Sequence, residues 1–137
     1  KMKKIIKFLI MFLLVISFSS INSKQANADS CSSGQTRCAD TSLLYGVDKI
    51  STTNARFFVK GERIWFSWSN VSPGIFHTNI AIYNGTTKVY GYHSIPSLGS
   101  DYGYIPAPYS GSFHLVALCS DGLGETRCKG EGAIFYQ

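Results

Sequence analysis

The chain has 137 residues, of which 13 are basic and 8 are acidic, and its formal net charge is +5. The basic excess lies entirely in residues 1–28, which hold five lysines and no acidic side chain, so residues 29–137 carry equal numbers of the two. A nucleic-acid partner requires clustered cationic charge, and we therefore expect none.

Residues 1–28 have the pattern of a secretory signal peptide. A lysine-rich head precedes the apolar run Phe8–Phe18, which is too short to span a membrane, and the small-x-small site Ala26-Asn27-Ala28 follows. The head and its length resemble Gram-positive bacterial signals. We therefore predict cleavage before Asp29 and secretion of residues 29–137 as a single extracellular domain with no membrane partner. A retained N-terminal anchor is the alternative.

All four cysteines lie in residues 29–137, and an even number in an exported chain predicts two disulfides. Their spacings do not match the Cys-x2-4-Cys of structural zinc sites, so we expect no metal. The segments Cys31–Cys38 and Cys119–Cys128 share a sequence pattern: Cys-Ser-x-Gly, then Gln or Glu, then Thr-Arg-Cys. This similarity favours pairing within each segment, although three connectivities are possible.

The rest of the chain consists of short apolar runs, rich in β-branched and aromatic residues and bounded by Gly, Pro, Asn or Ser. No segment shows a sustained helical period, and the pattern predicts an all-β domain. Gly61 and the pair Asn84-Gly85 are hairpin-turn signals. In chain order we predict strands at Leu43–Val47, Ala55–Val59, Arg63–Ser69, Thr78–Tyr83, Lys88–Tyr92, Tyr102–Ile105, Ser112–Cys119 and Ala133–Tyr136.

Alternation along these strands separates a buried face from an exposed one. The strand Ser112–Cys119 is apolar on both faces and should lie centrally in its sheet. About eight short strands in a domain of this length predict a two-sheet antiparallel β-sandwich resembling a jelly roll. The predicted core comprises Ile64, Phe66, Trp68, Ile80, Ile82, Phe113 and Leu115.

Three stretches together resemble one family of small bacterial domains. These are Gly61–Trp68, Ile80–Asn84 and the Ser-Gly-Ser-aromatic strand within Tyr109–Ala117. Their order resembles the jelly-roll accessory domains of the pre-peptidase C-terminal type and covers about half of the chain. The resemblance implies a non-catalytic module that binds polymers or assists secretion.

The residues that enzymes use show no catalytic pattern. Most acidic residues fall in predicted turns or cysteine loops, where solvated side chains are the rule, and no nucleophile elbow, zinc-binding helix or phosphate loop occurs. His77 and His114 are candidates for cross-strand neighbours, and His93 adjoins a tyrosine cluster. We expect no catalytic residue and no cofactor.

Tyrosines form the most specific pattern. Tyr90-Gly91-Tyr92-His93 and Tyr102-Gly103-Tyr104 flank a loop, and Tyr109 follows. Positions i and i+2 share a strand face, so the two Tyr-Gly-Tyr triplets predict a four-tyrosine platform, with glycine leaving room for a ligand or another backbone. The predicted binding residues are Tyr90, Tyr92, His93, Tyr102, Tyr104 and Tyr109. The alternative is that these tyrosines pack the sandwich.

Three functions are consistent with these features. The first is a secreted, non-enzymatic binding module that contacts an extracellular glycan or protein through the tyrosines. The second is a secreted antagonist, such as a toxin, bacteriocin-like factor or inhibitor, acting through its disulfide-stapled loops. The third is a small secreted hydrolase, which would need histidines and carboxylates gathered in a pocket. The oligomeric state is open.

The first prediction concerns processing. Intact-mass analysis of protein from culture medium should give a chain that starts at Asp29, because cleavage follows Ala28. Full-length chain retained in the membrane would contradict this prediction.

Overall fold

The computed structural model describes Cys31 and residues 35–137; the predicted signal peptide and its cleavage site lie outside the described residues. The described part is built from strands and connecting loops. The nine strands are β1 (Thr36–Leu43), β2 (Ile50–Thr52), β3 (Arg56–Phe58), β4 (Arg63–Asn70), β5 (Thr78–Asn84), β6 (Thr87–Ile95), β7 (Ser100–Pro106), β8 (Gly111–Cys119) and β9 (Gly130–Tyr136).

The strands form two antiparallel sheets, which confirms the predicted all-β sandwich with two disulfides. The first sheet has the order β1-β9-β4-β7. The second sheet has the order β2-β8-β5-β6, and β3 also pairs with β8. Strand β8 is therefore central, as its two apolar faces predicted.

Alternation in β4 shows how the sequence produces the sandwich. Ile64, Phe66 and Trp68 are buried, whereas Trp65 and Ser67 between them are partly exposed. The inward residues pack against Ile80, Ile82, Phe113 and Leu115 of the second sheet, so the predicted core is confirmed in full. Removal of these large apolar side chains from water is the main stabilising contribution to such a fold.

The N-terminal third of the described chain differs from the prediction. The predicted strand Leu43–Val47 is wrong, because Leu43 ends β1 and residues 44–47 form a loop. Strand β1 itself carries polar residues at its exposed positions and lies at a sheet edge, so it lacks the apolar run that marks a strand. Strand β2 has only three residues, too few for a periodic signal.

The four cysteines form the two local disulfides that the repeated sequence pattern favoured. Cys31 is bonded to Cys38 and Cys119 to Cys128, with Cα–Cα distances of 5.7 and 5.5 Å. The second bond is fully buried and closes the loop between β8 and β9. Each bond therefore restrains a local segment, and the second ties the end of β8 to the chain just before β9 of the other sheet.

A buried amide also joins the two sheets. The side-chain oxygen of Asn70 accepts hydrogen bonds from the Trp68 indole and from the Thr78 hydroxyl, at 2.8 and 2.7 Å. Its NH₂ group donates to the carbonyls of Ile95 and Pro96, at 2.9 and 2.8 Å. All four hydrogen-bonding positions of the amide are thus used, and they link β4 to β5 and β6.

Replacement of Asn70 should destabilise the fold strongly. Asn70→Ala leaves a buried indole N–H and a buried hydroxyl without their shared acceptor and takes one donor from each of two carbonyls, which should cost about 3 kcal/mol or more in the free energy of unfolding. Thr78→Val is the matched control, since it removes only one donor to the amide oxygen, keeps the shape of the buried side chain and should cost about 1 kcal/mol. Urea titration measures both, and equal losses would contradict the shared role of the amide.

Candidate functional site

An aromatic cluster lies on the outer surface of the first sheet. Trp65 projects from the middle of β4, and Tyr104 of β7 is its direct cross-strand partner, with the ring centroids 4.8 Å apart. Tyr102, which is paired with Ser67, lies diagonally at 5.3 Å from Trp65. Tyr102 and Tyr104 are 56% and 47% exposed. We call Trp65, Tyr102 and Tyr104 the aromatic face.

Neighbouring side chains hold these rings in place. Phe135 of β9 is paired with Trp65 and so lies on the same side of the sheet; its ring is 6.0 Å from the Tyr102 ring and has no exposed surface. The Arg63 guanidinium lies over the Tyr104 ring at 4.6 Å, a favourable cation–π geometry. The Tyr102 hydroxyl donates to the side-chain oxygen of Gln137 at 2.7 Å. Polar groups thus border a hydrophobic surface.

Gly103 lies between the two exposed tyrosines, and its role differs from the prediction. A Cβ at this position would point inward and lie 3.1 Å from Cζ of Phe66. The glycine therefore allows β7 to pack closely over a core ring, and it does not open space for a ligand. Because the residue is flanked by outward positions, Tyr102 and Tyr104 do share a face, as the alternation predicted.

The outer edge of β7 lacks two of its four outward backbone N–H donors. The Asn70 N–H bonds to the Gly99 carbonyl and the Ala107 N–H to the Glu62 carbonyl. Since hydrogen-bonded pairs alternate in an antiparallel ladder, the even-numbered residues from 100 to 106 turn their backbone groups away from β4. Among these, the Tyr102 N–H bonds to Oδ1 of Asp101 at 2.9 Å, and Pro106 has no N–H. The edge is therefore partly closed.

The predicted four-tyrosine platform is not formed. Tyr90 and Tyr92 lie on β6 in the second sheet, and the register of β6 shifts beside them, with Ile80 opposite His93 but Ile82 opposite Tyr90. The extra residue sends the two tyrosines to opposite sides of the strand. Tyr90 packs inward, with its ring 5.5 Å from Phe66. The alternative that the tyrosines pack the sandwich therefore holds for Tyr90.

Tyr92 lies on the outer surface of the second sheet, on the side of the sandwich away from the aromatic face. Its hydroxyl is 3.0 Å from that of Tyr83, and this hydrogen bond, with burial second, raises the pKa of Tyr92. The Lys88 ammonium lies 4.5 Å from the centre of the same ring. Tyr109 is separate from both groups, since it follows β7 and packs beside Phe113 at 5.7 Å.

His93 faces the gap between the sheets. It is paired with inward-facing Ile80, and Asp101 is paired with inward-facing Trp68, so the two side chains meet where the edge strands β6 and β7 adjoin. The His93 Nδ1 atom lies 2.8 Å from Oδ2 of Asp101. That oxygen is buried and receives no well-aligned hydrogen bond within the described residues. The contact is therefore a link between two sheet edges, and a hydrolase would need a nucleophile beside it.

The other two histidines are not cross-strand neighbours. The ring of His114 stacks on Tyr83, 5.9 Å away and inclined by 20°, and burial lowers the pKa of His114. His77 lies near the second disulfide, with Nε2 3.5 Å from a carboxylate oxygen of Asp121. In the described range, no three His, Cys, Asp or Glu side chains gather in a geometry that would hold a metal ion.

Two ion pairs lie outside the aromatic face. Arg37 donates to both carboxylate oxygens of Glu62, and this hydrogen bonding lowers the pKa of Glu62. In the loop between β8 and β9, Glu125 accepts from the side chain of Arg127 and from the backbone N–H groups of Thr126 and Arg127. These bonds, the Arg127 side chain first, lower the pKa of Glu125 to about 2.

Sequence reasoning missed most of the supporting residues. Alternation already placed Trp65 opposite the core residues of β4, but only the pairing of β4 with β7 brings Tyr102 and Tyr104 beside it. Phe135 and Gln137 reach the cluster in the same way, whereas Arg63 shares the outward side of β4 with Trp65. The alternation of residues within one strand does not show which distant strand pairs with it, or in which register.

Comparison with protein families and with curated proteins identifies no relative of the chain. No protein-family model matches the chain, and no curated protein is significantly similar to it. The resemblance to accessory domains of the pre-peptidase C-terminal type therefore stays a prediction. No helix long and apolar enough to cross a membrane is found in the described residues.

Acid should weaken the β8–β9 loop through Glu125. The pKa of Glu125 in the folded protein, about 2, lies below the 4.5 of an unperturbed glutamate. The stabilising contribution is therefore fully present above pH 4.5 and is lost as the pH falls through 2. The thermal midpoint of the wild type should therefore exceed that of Glu125→Gln at pH 7, and the difference should shrink towards pH 2. A difference that does not change with pH would contradict the assigned ion pair.

Proposed function

We propose that the protein is a secreted, non-enzymatic binding module that holds an extracellular glycan against the aromatic face. The proposal rests on the row of outward-facing rings. The ring centroid of Trp65 lies 4.8 Å from that of Tyr104 and 5.3 Å from that of Tyr102. Contiguous exposed apolar surface on a small protein often marks a contact site. Here two tyrosines stay about half exposed beside a tryptophan.

The chemistry of the face suits sugar rings. The C–H surface of a pyranose stacks on an aromatic ring, while its hydroxyls need hydrogen-bonding partners at the rim. The Arg63 guanidinium, the Tyr102 hydroxyl and the Gln137 side chain border the rings and supply donors and acceptors. The Trp65 ring is inclined by 37° to Tyr102 and by 51° to Tyr104. This tilt favours a single chain with successive sugars rotated, rather than a flat crystalline surface.

A peptide partner fits the face less well. Extended peptides commonly bind by adding a strand to a free sheet edge, and β7 is the edge next to the rings. Two of its outward positions lack a free N–H, because the Tyr102 N–H bonds to Asp101 and Pro106 has none. An added strand would therefore lose donors where it approached the aromatic face.

Charge gives a further expectation. Residues 29–137 hold equal numbers of basic and acidic side chains, so no long-range field would draw an anionic polymer to the protein. Stacking and short hydrogen bonds would carry the affinity. Binding should therefore change little with salt concentration, unlike binding to a polyanion.

Substitution of the rings tests the proposal. Trp65→Ala and Tyr104→Ala should each weaken binding to purified cell-wall glycan by about 10-fold or more, which corresponds to about 1.4 kcal/mol. Tyr92→Ala is the matched control, because Tyr92 is similarly exposed but lies on the other sheet. Pull-down on the glycan measures affinity, and a thermal melt verifies folding.

The same assay separates the possible partners. Mild periodate oxidation of the cell wall should abolish binding, and protease treatment should leave it intact. The opposite result would assign a protein partner. An equal loss in Tyr92→Ala, or no loss in folded Trp65→Ala, would remove the aromatic face from the binding surface.

A further inference from the structure

Exposed aliphatic side chains gather at one end of the sandwich. The pairings Leu43 with Gly130, Ser69 with Ser100 and Thr78 with Cys119 bring four loops to this end. We call the loops 44–49, 71–77, 96–99 and 120–129 the loop end. Every exposed leucine and isoleucine among the described residues lies in or directly beside these loops. They are Leu44, Ile50, Ile75, Leu98 and Leu123, and exposed Tyr45 and Val47 lie there too.

The four loops form one connected surface. The Gly46 N–H donates to the Thr126 carbonyl at 2.7 Å, and the Ile75 N–H donates to the Arg127 carbonyl at 3.0 Å. The Ser97 hydroxyl donates to the carbonyl of Gly74 at 2.8 Å. The buried disulfide Cys119–Cys128 closes the longest of the loops. Because the loops are already ordered, little conformational entropy would be lost on binding.

The aliphatic groups protrude from the surface. Leu123 is 92% exposed, and Leu98 and Val47 are 67% and 66% exposed. Gly122 and Gly124, with φ of 76° and 94°, flank Leu123 in a tight reversal. Contacts that dominate protein–protein affinity are rich in Trp, Tyr and Arg, and poor in Leu and Val. Separate aliphatic tips on several loops instead suit a fluid apolar phase that closes around each side chain.

The backbone at Leu98 is strained in a way that packing does not explain. The Gly99 N–H bonds to the Pro96 carbonyl at 2.9 Å, which closes a turn with Leu98 as its third residue at φ 60°. Glycine or asparagine normally takes this left-handed position. Leucine is used here although most of its side chain faces solvent. Strain of this kind is typical of binding sites.

Charges at the loop end balance. The four loops contain three basic side chains, Lys49, Arg127 and Lys129, and three acidic ones, Asp48, Asp121 and Glu125. Arg127 is paired with Glu125. An uncharged partner is therefore favoured over a strongly anionic one. Tyr45 is 40% exposed at the same end, and tyrosine is enriched where protein meets lipid headgroups.

From these observations we propose that the loop end is a membrane-contact surface, which inserts its aliphatic tips into the outer boundary of a zwitterionic lipid bilayer. The aliphatic side chains come from four separate segments, so no continuous apolar stretch in residues 29–137 predicts this surface. The sequence alone therefore led us to expect no membrane partner. This inference does not depend on the aromatic face, which lies along the first sheet.

Vesicle flotation of residues 29–137 tests the proposal; this range contains both disulfides and every buried residue of the two sheets. The wild type should float with phosphatidylcholine vesicles, equally at low and high salt. Leu123→Ser should weaken the vesicle affinity by about 10-fold. The matched control is Val59→Ser, which removes an exposed aliphatic group at the opposite end, and it should leave the affinity unchanged.

Leu98→Gly separates a contact role from a structural one. Glycine relieves the backbone strain, so the melting temperature should stay the same or rise, while vesicle affinity should fall. Trp65→Ala should leave vesicle binding unchanged. A Leu123→Trp reporter should show a blue-shifted emission on addition of vesicles.

Several results would overturn the proposal. These are no flotation of the wild type, flotation only with anionic phosphatidylglycerol that salt reverses, or an equal loss in Val59→Ser. Concentration-dependent self-association that Leu123→Ser abolishes, without flotation, would assign the surface to a second copy of the chain.

Discussion

The buried amide of Asn70 is the interaction on which the rest of the structure depends. Two sheets facing each other through apolar side chains alone can slide, because hydrophobic contact has no direction. Four hydrogen bonds from one amide fix β4 against β5 and β6. An unsatisfied polar group in a core is costly, so every partner must stay in register. The amide thereby sets how the two sheets are aligned.

That alignment also positions both proposed surfaces. Asn70 bonds to the carbonyl of Pro96, the first residue of the turn that carries Leu98, and its backbone N–H bonds to Gly99. The same turn leads directly into β7, whose tyrosines complete the aromatic face. A Cβ on Gly130 would lie 2.8 Å from the Asn70 side-chain oxygen, so glycine at that position protects the network. The loop end and the aromatic face therefore share one structural support.

The sequence predicted the core better than the surface, for a physical reason. Alternation within a strand reports which side of that strand is buried, and this was enough to identify Ile64, Phe66 and Trp68. The repeated cysteine patterns favoured the local pairing that both disulfides adopt. Surfaces depend on which distant strands become neighbours, and here a single extra residue in β6 reverses the outcome. It turns Tyr90 inward beside Phe66, whereas Tyr102 and Tyr104, without such a shift, both stay outside.

The pairing of the first and last strands has a mechanical consequence. Thr36 of β1 is opposite Tyr136 of β9, so both strands reach the same end of the sandwich, away from the loop end. A force that pulled these two residues apart would break the hydrogen-bonded pairs of the ladder one after another, instead of loading all of them at once. The fold would therefore yield readily to tension between Thr36 and Tyr136, whereas a force applied across the sheets would have to disrupt the whole core.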